Sequence, residues 1–166
     1  MDAPANNEAF MSKLKLDPDQ YQSLKKFLNF FSDRFLNVQS VPPENRPIAI
    51  LEAMEKTAPG RAADGLMMAI NDCIEMSSGW GTEKIVVLDA ELKNSGIITL
   101  TELRHQYSRQ YARVVKRGRI TNEEEYYLLK GILDGDSLKI TDPEKESLIM
   151  MLDSYENKIK AVTRNR

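Results

Sequence analysis

The chain has 166 residues, 42% of them hydrophobic and 29% charged, and carries a formal net charge of −2 at pH 7. That is enough apolar material for one core, or for two small helical halves sharing one, with enough charge to solvate the outside. The near-neutral balance excludes a polycation that coats nucleic acid or anionic lipid wholesale, and it lies away from the composition of disordered chains.

No apolar run approaches the eighteen or so residues that a membrane span needs, so no membrane association is expected. The opening residues, Met1-Asp2-Ala3-Pro4-Ala5, lack the basic flank and apolar stretch of a secretory signal. One cysteine cannot close an internal disulfide, and eight methionines suit a reducing setting. A cytoplasmic location is expected on these grounds.

Residues 1–16 mix small, polar and apolar positions at no steady period and read as a flexible N-terminal segment. Asp17-Pro18 then reads as an N-cap followed by an N1 proline, whose missing amide costs nothing there. Tyr21, Leu24, Phe27, Leu28, Phe31 and Phe35 follow at helical spacing. Val41-Pro42-Pro43 interrupts, Pro47 opens a second helix bearing Ile48, Leu51 and Met54, and Pro59-Gly60 punctuates again. The third helix carries Ala62, Ala63, Leu66, Met67, Ile70, Cys73 and Ile74. After the Ser77-Ser78-Gly79-Trp80-Gly81 turn, Thr82 is a candidate N-cap for a fourth helix with Ile85, Val86, Leu88 and Leu92. Gly96 is free to take the left-handed position that ends it.

Three helix starts then share the pattern Ile-Thr-x-x-Glu: Ile98-Thr99 with Glu102, Ile120-Thr121 with Glu124, and Ile140-Thr141 with Glu144. Threonine at N-cap and glutamate at N3 can satisfy each other's orphan amides. In the third case Pro143 could instead make Asp142 the cap. Helices spanning roughly 99–117, 122–134 and 143–162 are predicted, with Gly118 and Gly135 as stops. No stretch alternates as a half-buried strand does. The expected fold is all-α, about seven helices in a compact bundle, with helices 5–7 as consecutive antiparallel neighbours because their links are short. A single helical domain would cover 17–162, with 163–166 a frayed C-terminus.

The strongest functional hint lies in the predicted fifth helix. Arg104, Arg109, Arg113, Lys116, Arg117 and Arg119 occur with no acid among them. At 100° per residue, Leu103, Tyr107, Tyr111 and Val114 share one side, while His105, Arg109, Arg113, Lys116 and Arg117 share the other. The macrodipole at a helix C-terminus, or pairing with Glu123-Glu124-Glu125 across the Gly118 turn, accounts for such a face without a ligand. As a contact surface, His105, Arg109, Arg113, Lys116, Arg117 and Arg119 suit an acidic protein or, alternatively, phosphates of a nucleic acid.

Other chemistries are poorly served. Glu102-Leu103-Arg104-His105 has the Glu-x-x-His spacing of di-iron bundles, but a second copy is impossible with one histidine. Glu91–Glu102 and the stretch starting Asp134-Gly135-Asp136 resemble calcium loops, yet Lys93, Leu138 and Lys145 stand where oxygen ligands belong and Lys139 where the turn glycine does. Cys73 sits on an apolar stripe, where cysteine acts as a small hydrophobe. Ser23-Leu24-Lys25-Lys26 fits Ser-x-x-Lys without its companion motifs, and no Gly-rich phosphate loop is present. No catalytic residue, metal site or cofactor is therefore predicted. Trp80, between two glycines, is expected to fold down as a plug on the core. One member each of Met67-Met68, Tyr126-Tyr127 and Met150-Met151 should face inward; exposure of several others would favour a homodimer. The expected function is a non-catalytic protein-interaction module using the basic face, with nucleic-acid binding as the rival.

Overall fold

A computed structural model describes residues 16–135 and 139–165. Among these the chain is all-α, with eight α-helices, two short 3-10 segments and no strand. The N-terminal segment 1–16 lies outside the described residues apart from Leu16, as do Arg166 and part of the second calcium-like stretch. The chain divides into two units, the first holding residues up to Glu75 with Ser95–Ile98, the second Met76–Asn94 and everything from Thr99 onward.

In the first unit, α1 (Pro18–Phe35) begins at Asp17, whose carboxylate accepts from the Gln20 amide while Gln20 reaches back to the Asp17 amide. The proline expected at N1 is in place, and the reciprocal bond adds a second satisfied donor. Asn37 takes a left-handed conformation just after the helix, and 3-10 turns at Val38–Ser40 and Pro43–Asn45 carry the chain to α2 (Pro47–Thr57). The third helix, α3 (Pro59–Met76), follows after Ala58. Leu24, Phe27, Leu28 and Phe31 of α1 and Leu51 of α2 are buried, with Phe27 and Phe31 stacked at 5.7 Å. Each such side chain contributes about 1.5–3 kcal/mol relative to exposure. A polar clamp joins α1 to α2 at the edge: Tyr21 Oη and Lys25 Nζ both donate to Glu55, at 2.8 and 3.0 Å.

The second unit contains α4 (Thr82–Asn94), α5 (Leu100–Tyr107), α6 (Arg109–Arg117), α7 (Glu123–Leu133) and α8 (Asp142–Arg164). Here α7 packs against α5, α6 and α8, so the predicted fifth, sixth and seventh helices are mutual neighbours. Tyr111, Val114, Ile120, Leu128, Leu129, Ile132, Leu148, Met151 and Leu152 form one buried cluster. The count is eight helices and not about seven because the predicted helix over 99–117 is two. Ser108 adopts extended dihedrals (φ −70°, ψ 120°), and its hydroxyl accepts from the Tyr111 amide at 3.1 Å. A serine hydroxyl competes with the helical carbonyl for that amide, and here the new N-cap wins.

The three Ile-Thr-x-x-Glu starts diverge. Thr99 and Glu102 form the full reciprocal box. At the second start the cap is Asn122, one residue later than Thr121, and Glu125 reaches back to the Thr121 amide at 2.8 Å. At the third, Thr141 caps α8, but the Glu144 carboxylate is engaged elsewhere. Gly118 ends α6 in the left-handed conformation (φ 72°), with its amide donating to Val114 and Val115. Trp80 is half-buried and not sunk in the core; the Lys84 ammonium lies 3.5 Å from its ring centroid, a cation–π contact made because α4 starts two residues on.

Candidate functional site

The break at Ser108 separates the six basic-face candidates onto two helix axes. His105 belongs to α5, Arg109, Arg113, Lys116 and Arg117 to α6, and Arg119 to the turn beyond Gly118. The tyrosines on the opposite side, Tyr107 and Tyr111, are buried, as is Val114.

Two of the six are engaged internally. His105 Nε2 donates to Glu144 Oε1 at 2.7 Å, and Tyr111 Oη donates to the same oxygen at 2.6 Å, tying α5 and α6 to the start of α8. The guanidinium of Arg117 pairs with the buried Glu125 carboxylate and donates to the Arg119 carbonyl, fastening the Gly118 turn. Burial pushes the Glu125 carboxyl up, but the Thr121 amide and hydroxyl and the Arg117 charge together bring it below the ordinary value.

The others are differently placed. Arg113, Lys116 and Arg119 are exposed, and among the described residues none makes an ion pair. Arg109 is half-buried, with a buried Nε that has no hydrogen-bond partner there. Arg109, Arg113 and Lys116 stand at i, i+4 and i+7, so they line one face of α6 within about 60° of arc. Val115, also exposed, lies about 100° round the helix from Lys116.

No family model, curated protein or solved structure matches the chain.

The chemistry of the candidate face is cationic. Cys73 is buried, and burial, reinforced by the Asp72 charge, pushes its thiol up to about 12, far from thiolate reactivity. The Glu-x-x-His spacing is spent locally, since Glu102 accepts from the Thr99 amide and hydroxyl while His105 turns to Glu144. Among the described residues no three His, Cys, Asp or Glu side chains gather as a metal site, and no helix is long and apolar enough to cross a membrane. In the first unit an open concavity of ≈ 390 Å³ is lined by Lys26, Asn29, Phe30, Asp33, Arg34 and Ile97, a mixed-charge surface with no orphaned polar group aimed into it.

Arg104 belongs to the basic stretch but not to its predicted outward face, and it is buried. Arg104 is only 7% exposed; its guanidinium donates to the carbonyl and hydroxyl of Ser77. Burial lowers its pKa, partly offset by the charges of Asp89 and Glu124. Asp89 in turn accepts from the Leu100 amide at 2.8 Å and from Thr101, capping α5 from α4. Helical rotation carried a signal for this: Arg104 falls about 60° from Tyr107 and 40° from Leu100, inside the buried sector.

Glu144 makes a pH-dependent contribution. Burial raises its pKa, but hydrogen bonds from Tyr111 and His105 outweigh that and hold it below the usual 4.5. A carboxylate with a depressed folded value stabilises fully above its unfolded pKa and loses that contribution as pH falls through the folded one. Glu144→Gln is expected to lower stability by about 1–2 kcal/mol at pH 7. In urea melts at a series of pH values, its deficit should shrink below pH 4.5. A deficit that does not change with pH would show that the charge on Glu144 is irrelevant.

Proposed function

We propose that this chain is a non-catalytic interaction module that binds an acidic protein surface through α6. The observation that carries the reading is the row of Arg109, Arg113 and Lys116, with Arg119 beyond the turn, presented without a carboxylate partner among the described residues. Arg117 and His105 fall to a supporting role, since each already has one. Planar guanidinium forks at i and i+4 match carboxylates on an opposing helix or loop. The row spans roughly 10 Å of helix, suited to a few carboxylates and short for a nucleic-acid footprint. The buried free thiol and methionine content fit a reducing, cytoplasmic setting.

The test is affinity capture from cell extract with wild type and an Arg109→Glu/Arg113→Glu/Lys116→Glu variant. The expected result is a protein retained by wild type and lost, by about tenfold or more, by the variant. Unchanged capture would remove α6 from the function. Capture of nucleic acid instead, released steeply by added salt, would favour the nucleic-acid reading, which the lack of any acid between Arg104 and Arg119 supports.

A further inference from the structure

The longest helix, α8, presents a second surface, independent of the α6 cations. Its inward side is Leu148, Met151, Leu152 and the partly buried Tyr155. Rotation by 100° per residue places Glu146, Ile149, Asp153, Lys160 and Arg164 within about 60° of one another on the opposite side, with Met150 and Asn157 adjoining. All of these are exposed, Met150 to 72%, and none of the four charged ones makes an ion pair among the described residues.

Within this 60° arc charge is segregated, with Lys145 and the half-buried Glu156, which accepts from Tyr126, lying just outside its edge. Asp142, Glu146 and Asp153 occupy the N-terminal part and Lys160 and Arg164 the C-terminal part, with the exposed apolar pair Ile149-Met150 between acids. The helix macrodipole favours such an order only within the first and last turns. Asp153 and Lys160 lie beyond that reach, so the pattern calls for something else.

We infer that two copies of this chain associate through the outward faces of α8, the two helices running antiparallel. Parallel pairing would set acid against acid and base against base. Antiparallel pairing about a two-fold axis near residue 155 sets Glu146 level with Arg164 of the second copy. The second copy's Lys160 then comes level with Met150, about 6 Å along the axis from Glu146 and about 4.5 Å from Asp153. The same contacts repeat on the other side of the axis, as an isologous interface requires. Ile149 and Met150 of each copy meet Ala161 and the stem of Lys160 of the other. Two facing strips about 33 Å long bury on the order of 800–1,000 Å² in total, at the low end of specific interfaces. The association is therefore a weak dimer with marked salt dependence.

Sedimentation velocity on the full chain tests this, from about 1 to about 500 μM protein and at about 50 and 500 mM salt. The expected result is a monomer–dimer equilibrium that weakens at least tenfold at high salt. Two charge-reversed chains, Glu146→Lys/Asp153→Lys and Lys160→Glu/Arg164→Glu, should each be monomeric and fully helical by circular dichroism. Mixed one to one, they should form a heterodimer, because positions 146, 153, 160 and 164 then carry one sign within each chain and opposite signs across the pair. A monomeric wild type at the highest concentration and lowest salt overturns the proposal, as does a folded mixture that fails to pair. A dimer unaffected by either reversal overturns it too, since pairing would then lie elsewhere. Met150→Lys, remote from both helix ends, should weaken the dimer without touching the helix termini.

Discussion

Arg104→Met should destabilise the second unit by about 2–4 kcal/mol while leaving the volume of the side chain nearly unchanged. The guanidinium is buried and donates to both the carbonyl and the hydroxyl of Ser77, so methionine leaves two buried acceptors without their charged donor. Asp89 also loses a nearby positive charge; burial already raises its pKa, and that shift should grow. Removing a buried charge returns part of its desolvation cost, which is why the loss falls short of that for a broken buried ion pair. Against a total stability of about 5–15 kcal/mol the change is large. Urea denaturation at pH 7 measures it, and limited proteolysis should show faster cutting in the Ser78-Gly79 turn. A variant within about 0.5 kcal/mol of wild type would mean that the guanidinium does not hold this turn.

Phe27→Ala should cost more, about 3–5 kcal/mol, because a fully buried aromatic ring is replaced by a methyl group and the cavity collapses only in part. Its neighbour Phe31 loses a stacked partner at 5.7 Å. Calorimetry distinguishes two outcomes of interest. If the first unit unfolds separately, only one of two transitions moves to lower temperature; if unfolding is cooperative throughout, the single transition moves. A melting curve identical to wild type would contradict the packing around Phe27.

How much of this was legible depends on the range of the interaction. Local chemistry could be read well: the Asp17 cap, the Thr99–Glu102 box and the Gly118 stop each depend on residues within a few positions of one another. The alternation within Met67-Met68 and Met150-Met151 could be read too, with Met67 and Met151 buried and their neighbours exposed. Where two residues compete for one role, the pattern misled by a step: Asn122 and Glu125 displaced Thr121 and Glu124 because asparagine caps as well as threonine. The break at Ser108 was hidden because serine is tolerated inside helices and neither proline nor glycine marks the site. Ion pairing of the candidate surface was beyond reach where it joined distant elements. His105 meets Glu144 across 39 positions, and no spacing rule predicts that. Arg117 and Glu125 lie 8 apart across the Gly118 turn, and the general expectation of pairing there was met by one arginine of the row.

The division at Ser108 bears on how the cationic row comes into being. Helices of 8 and 9 residues are too short to persist in water by themselves, whereas one of 23 has length enough to nucleate. The helical row of Arg109, Arg113 and Lys116 therefore depends on the apolar wall of α7 and α8 against which Tyr111 and Val114 settle. The cationic row is thus a product of tertiary packing and not of local helix propensity.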